Sequence, residues 1–221
     1  MANNQQIPEE QPEVQVSGFE KFIKKYQRIL GWTTIVILIV IFGSLAVNKW
    51  YLEPAREEAR GQMFAAEQQF EAKNYQQALE GDGNYLGFAQ LISEFGSKCD
   101  KSVYLYAGIC SYNLGRYDEA VAYFKDYSSD DKIMEAKALC CIGDCYAALG
   151  DNKEALSYFK KAAAVEDNLF RAAYLQKAGI ICEEMGDTEA ALKFYEEIKL
   201  KYPETAEGFE ADKYISRIQN K

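Results

Sequence analysis

Six cysteines, Cys99, Cys110, Cys140, Cys141, Cys145 and Cys182, are the residues best suited to chemistry in this 221-residue chain. A structural zinc site takes thiolates in closely spaced pairs. Only Cys141 and Cys145 come near that spacing, with three residues between them in a stretch expected to be helical. The chain has no histidine, which removes the commonest general base and the commonest zinc partner for those thiols. Glu80, Asp82 and Asn84 alternate as in a calcium loop, yet Tyr85 stands where the sixth-position glycine is needed and Leu91 where the twelfth-position glutamate is needed. No nucleophile–base arrangement, phosphate loop or cofactor fingerprint is present. The expectation is a protein that is not an enzyme, with no metal, no cofactor and no small-molecule substrate, its cysteines serving as small apolar packing residues.

Charge narrows the partners. Lys and Arg number 25 against 34 Asp and Glu, a net charge of −9. Such a chain repels phosphate backbones and lacks the basic footprint of a nucleic-acid binder. Proteins and membranes remain as partners.

The membrane enters through "ILGWTTIVILIVIFGSLAVN", Ile29 to Asn48, twenty residues without a charge. At 1.5 Å rise per residue it can cross a hydrocarbon core of about 30 Å. Tyr26 and Trp32 lie at one end, Trp50 and Tyr51 at the other, where amphipathic rings favour the headgroup boundary. "SLA" at Ser44 to Ala46 resembles a signal-cleavage site, but the apolar run is longer than a signal peptide's and a 28-residue tail precedes it, so an uncleaved anchor is expected. The tail divides into residues 1–20, polar and without apolar periodicity, read as disordered, and a basic juxtamembrane segment, 21–28. Lys21, Lys24, Lys25 and Arg28 crowd that segment, whereas Lys49, Arg56 and Arg60 are spread thinly beyond the helix. The positive-inside rule then puts the N-terminus in the cytoplasm and the rest outside it. Six thiols in an oxidising compartment conflict with that orientation, unless some pair or the compartment is only mildly oxidising.

Beyond a linker at 49–58, one pattern is written three times. "GRYDEAVAYF" from Gly115 returns as "GDNKEALSYF" from Gly150 and as "GDTEAALKFY" from Gly186. Seven residues before each glycine stands another: Gly108, Gly143, Gly179. Five residues after come Ala120, Ala155 and Ala191; four further come Phe124, Phe159 and Tyr195. The turn glycine ends one helix in a left-handed conformation, Asp151 and Asp187 can cap the next, and the small residues let paired helices cross. The aromatics are expected to fill the space between neighbouring repeats. Residues 59–100 read as a degenerate first copy with Ala66, Tyr75 and Ala78, but with Lys73 for the turn glycine and extra residues around Gly81 to Gly87 that interrupt its second helix.

These residues and spacings resemble the tetratricopeptide repeat (TPR), a helix–turn–helix unit of 34 residues. The resemblance implies an all-α solenoid over 59–203, with units 59–100, 101–135, 136–171 and 172–203, closed by a capping helix at 204–221 and preceded by one transmembrane helix at 29–48. It also implies a concave groove lined by positions two, five, nine, twelve and thirteen of each first helix. Carried onto this chain, these include Leu105, Ile109, Tyr112 and Asn113 in the second unit, Cys140 and Asp144 in the third, and Gln176, Ile180, Glu183 and Glu184 in the fourth. Chaperone-binding relatives carry Lys, Arg and Asn at such positions to grip a terminal carboxylate; here the first of them are apolar or acidic. The expected ligand is a protein segment with apolar and basic residues.

A short tail, one anchor and an acidic TPR domain together are similar to the bacterial ancillary subunit family of the Sec translocon. That resemblance implies a single-pass inner-membrane protein with its TPR domain in the periplasm, meeting translocon subunits, exported chains or periplasmic chaperones. An envelope scaffold for cell division or outer-membrane assembly, and a cytoplasmic regulatory adapter of reversed topology, stay open beside it.

Overall fold

A computed structural model describes residues 18–165, 168 and 170–220, and divides the chain after Glu53 into two units. In the first, α1 (Gly18–Val47) contains the apolar run and is followed by a π-helical turn, Asn48–Leu52. The run is rich in β-branched residues, but a helix satisfies every backbone N–H and C=O within the segment, which apolar surroundings demand. Ile39, Val40 and Phe42 are exposed along it. Among the described residues this is the one helix long and apolar enough to cross a membrane. Residues 1–17, most of the expected disordered tail, lie outside the described residues. Gly18 to Glu20 and the basic segment 21–28 are already part of α1, a correction to the expected boundary at residue 20.

The second unit is helical throughout, with no strand among its described residues. Its elements are α2 (Glu53–Glu71), α3 (Tyr75–Glu80), α4 (Phe88–Phe95), α5 (Ser102–Asn113), α6 (Tyr117–Asp126), α7 (Lys132–Ala148), α8 (Asn152–Val165), α9 (Arg171–Glu184), α10 (Thr188–Lys201) and α11 (Ala206–Gln219). From α5 onward each packs chiefly on its neighbours in sequence, the arrangement of a solenoid, while α3 packs on both α4 and α5. The helix α2 starts at Glu53, and Pro54 fits its first turn, whose N–H groups have no intrahelical partner.

Four turns share one hydrogen-bond pattern. Gly115, Gly150 and Gly186 adopt φ of +75°, +80° and +79°. At Gly115 the amide donates to the Tyr112 carbonyl and the next amide, Arg116, to that of Ser111, at 3.0 and 2.9 Å. This 6→1 and 5→2 pair closes the helix end. The same pair recurs at Lys73, φ +61°, whose amide donates to the Phe70 carbonyl while the Asn74 amide donates to that of Gln69, so the degenerate first repeat keeps the turn without its glycine. Asp151 and Asp187 then accept from Glu154 and Ala190, capping α8 and α10.

The aromatics do more than bridge repeats. A Cβ placed on Gly108, Gly143 or Gly179 would lie 2.6 Å from a ring carbon of Phe124, Phe159 or Tyr195 respectively. Each ring therefore rests on the bare glycine of its own repeat. Phe124 also clusters with Ile142 and Cys145 of the next repeat, so its ring fills the space between repeats while resting on the glycine of its own.

In the first repeat the second helix is broken, as its glycines predict. Gly81, at φ +76°, ends α3, and a side chain on Gly87 would meet the Leu79 carbonyl at 2.4 Å, so the seven-residue loop closes on itself. Asp82 turns its carboxylate onto the Asn84 amide at 2.8 Å, an Asx turn in place of a metal ligand. The loop delivers α4, whose fully buried Phe88 stacks on Tyr106 at 5.3 Å and meets Phe70 edge-on. Phe88 stands in for the aromatic that the repeat pattern lacks at Asp82.

Candidate protein-binding groove

The first helix of each repeat offers one side to its partners and another to the groove. In the second and third repeats the groove residues converge. Ile109, Tyr112 and Asp144 line one apolar pocket of about 140 Å³, together with Phe124 and Cys141. Leu105 and Ile109 pack, partly buried, against a cluster formed by Ala120, Val121 and Phe124 of their own repeat with Ile142 and Cys145 of the next. Tyr112 lies edge-on to Tyr117 at 5.4 Å and keeps part of its ring in solvent. Asn113 is exposed and donates its side-chain amide to the Ile109 carbonyl at 2.7 Å.

The acidic half of the groove is not free charge. Lys177 donates to both oxygens of Asp144, at 2.6 and 2.7 Å. Burial by itself would lower the Lys177 ammonium, but its neighbours Cys140 and Asp144 raise it above the ordinary value. The Cys140 thiol is itself pushed up to about 12 by burial and stays neutral, so Asp144 is the physical partner. Glu183 accepts the Tyr195 hydroxyl at 2.8 Å and the Arg217 guanidinium of α11. Only 11% of its side chain is exposed, and it serves to join the fourth repeat to the cap. Two of the acidic groove residues, Asp144 and Glu183, thus already hold cations of this chain. Carboxylates taken out of water need their cations close by, and the fold supplies them. Glu184 is exposed; Gln176 and Ile180 are partly buried, and none of these three enters the pocket. Phe124, Cys141 and Lys177 are the participants that repeat register did not name. The only signal for Phe124 was its recurrence, and Lys177 reaches Asp144 across 33 positions.

The six cysteines are unpaired and five are buried, Cys141 being partly exposed. Burial pushes the thiols of Cys110, Cys140 and Cys145 up to about 12 and Cys141 to about 11. Such thiols hold almost no thiolate near neutrality, the form that reacts. Among the described residues no His, Cys, Asp and Glu side chains form a group able to hold a metal. The expected result with a maleimide at neutral pH is slow reaction at Cys141 first and the other five only in denaturant. Mass spectrometry would count them, and rapid labelling of Cys110 or Cys145 in the native protein would contradict this packing.

The helical pairs, left-handed turns and seated rings define a TPR solenoid. Residues 102–130 and 134–198 each match a family model described as tetratricopeptide repeat. Two crystal structures of MamA share the fold. One is 17% identical with a TM-score of 0.52, covering 70% of this chain and 92% of that one. The other is 16% identical with a TM-score of 0.56, covering 74% and 87%. At such identities the likeness concerns the fold alone. No curated protein matches the sequence.

Proposed function

We propose that this protein is a membrane-tethered adapter whose TPR domain captures protein segments outside the cytoplasm, beside the Sec translocon. The anchor is Ile29 to Asn48, and the clients are exported chains or the chaperones that receive them. The observation that carries the reading is the apolar pocket of Ile109, Tyr112 and Cys141, set beside an Asp144 already neutralised by Lys177. It fits an apolar side chain better than a charged one. Confinement beside a channel raises the effective concentration of such segments, so weak groove contacts suffice.

A protease added to cells with an opened outer barrier is the first test. Removal of a C-terminal tag, with channel subunits co-purifying with the full chain, is expected; Tyr112→Ala should release bound clients and leave the channel subunits attached. A tag protected until the inner membrane is lysed would end this reading. The six unpaired thiols favour one alternative, a cytoplasm-facing regulatory adapter, and that protection pattern would be its signature.

A further inference from the structure

A second pocket, of about 320 Å³, opens between α6, α7 and α8. It has more than twice the volume of the groove pocket and looks another way: at about 100° per residue, its Ala138, Leu139 and Ile142 fall on a different face of α7 from Cys141 and Asp144. The floor is apolar, with Phe124 and Ile142 each only 2% exposed. Two exposed lysines line the rim. Lys125 donates to the Tyr146 hydroxyl at 3.2 Å, and Lys161 lies 4.2 Å from the centre of the Tyr158 ring, which Lys125 also approaches, at 6.0 Å. Rings and hydroxyls steady a cation without neutralising it. Among the described residues neither ammonium has a carboxylate within ion-pair reach. Cations elsewhere do, as Arg116 meets Glu80 and Lys199 meets Asp212, each at 2.6 Å. Glu135, the one carboxylate of the lining, is held by Lys132 at 2.7 Å, and Asp131 of the preceding loop caps α7 by accepting the Ile133 amide at 2.8 Å. In a chain of net charge −9, two cations left facing a pocket need a counter-charge from outside.

We infer that this pocket docks a segment of a second protein in which one large apolar side chain is flanked by acidic ones, apart from the clients of the groove. The floor takes the apolar side chain out of water, and Lys125 and Lys161 meet the flanking carboxylates at the rim, the division of labour usual at protein interfaces. Ser128 adds an exposed hydroxyl to that rim. Charge selects the partner. A basic segment would be repelled by the two ammonium groups, and a wholly apolar one would cover them without a counter-charge. The pocket joins two stretches that match tetratricopeptide models, repeats that bind proteins, which favours a chain segment over a free small anion. The inference rests on neither the groove nor the anchor.

The test uses the full chain in uncharged detergent and an end-labelled peptide with one phenylalanine between two pairs of glutamates, followed by fluorescence anisotropy. Binding is expected, weakened about tenfold by the double change Lys125→Gln and Lys161→Gln and largely restored by arginine at both positions. Both lysines are exposed, so these changes leave the core untouched. Lys193→Gln, the same loss of charge at a 70% exposed position on α10, should bind as wild type does. A peptide with serine in place of the phenylalanine should bind far more weakly. Equal binding by wild type and the double glutamine variant would overturn the site. So would equal binding of the serine peptide, since general charge attraction would then suffice, or no binding at millimolar peptide. Displacement of the peptide by an equal concentration of phenylacetate, at fixed ionic strength, would make the occupant a small anion and overturn the protein assignment.

Discussion

Replacing Gly143 by leucine should unfold the third repeat and split the stack on either side of it. A Cβ at this position would stand 2.6 and 2.7 Å from Cε1 and Cδ1 of Phe159, a ring only 2% exposed with no room to withdraw. Even alanine forces a shift there, and overpacking a well-filled core costs about 1–3 kcal/mol, set against the roughly 1 kcal/mol that alanine gains over glycine in a helix. Leucine adds a branched chain at the same point, so a loss of more than about 3 kcal/mol is expected, the upper end of overpacking. Each repeat holds its neighbours chiefly through adjacent interfaces, so the failure should spread. Gly61 is the internal control. It lies exposed in α2 with nothing within 4 Å of an added Cβ, and Gly61→Ala should stabilise by about 0.5–1 kcal/mol. Urea unfolding followed by circular dichroism compares the two, and a midpoint for Gly143→Leu equal to wild type would refute the seating of ring on glycine.

The contrast between those two glycines also marks what a sequence can carry. Gly143 is legible because it recurs in register with Gly108 and Gly179, and recurrence at that spacing reports local physics: a turn, a crossing, a ring to be seated. The left-handed turn at Lys73 is not legible, since nothing in a lysine announces φ of +61°; only the surrounding repeat imposes it. Nor is Phe88 legible as the replacement for the missing aromatic, because it arrives by way of a loop whose closure depends on Gly87 lying against the Leu79 backbone.

The groove divides in the same way. Register alone placed Ile109, Tyr112 and Asp144 on one side, and those three meet in one pocket. The pairing of Asp144 and Glu183 is not legible because their partners sit far away in sequence: Lys177 across 33 positions from Asp144, Arg217 across 34 from Glu183. A count of acids along helices sees exposed charge at Asp144 and Glu183, where the fold has paired it. The charge-free run of α1 is plain from composition, but an orientation for the proposed anchor rests on a bias of a few lysines and arginines, which no single helix records.

Tyr195 offers the second large effect, because it joins three parts of the C-terminal end. It is fully buried, its ring rests on Gly179, and it stacks on Tyr214 of the capping helix at 5.0 Å. Its hydroxyl donates to Glu183, which also holds Arg217 of the cap. Tyr195→Ala removes the whole ring and should cost about 3–5 kcal/mol, as deletion of a buried aromatic does. It should also loosen α11, since Tyr214 loses the ring it stacks on and Glu183 the hydroxyl that steadies it. Tyr195→Phe separates these contributions. The third repeat carries phenylalanine at the equivalent position, Phe159, so the ring is expected to seat normally over Gly179. Only the hydrogen bond to a carboxylate is lost, worth about 1.5–3 kcal/mol, with Arg217 still holding Glu183. Hydrogen exchange of α11 amides reads the outcome directly: fast exchange in Tyr195→Ala and near-native protection in Tyr195→Phe is the expected pair. Equal protection of α11 in both variants would mean that the cap is held by Ala211 and Ile218 alone, and that the Glu183 cluster contributes nothing to closing the solenoid.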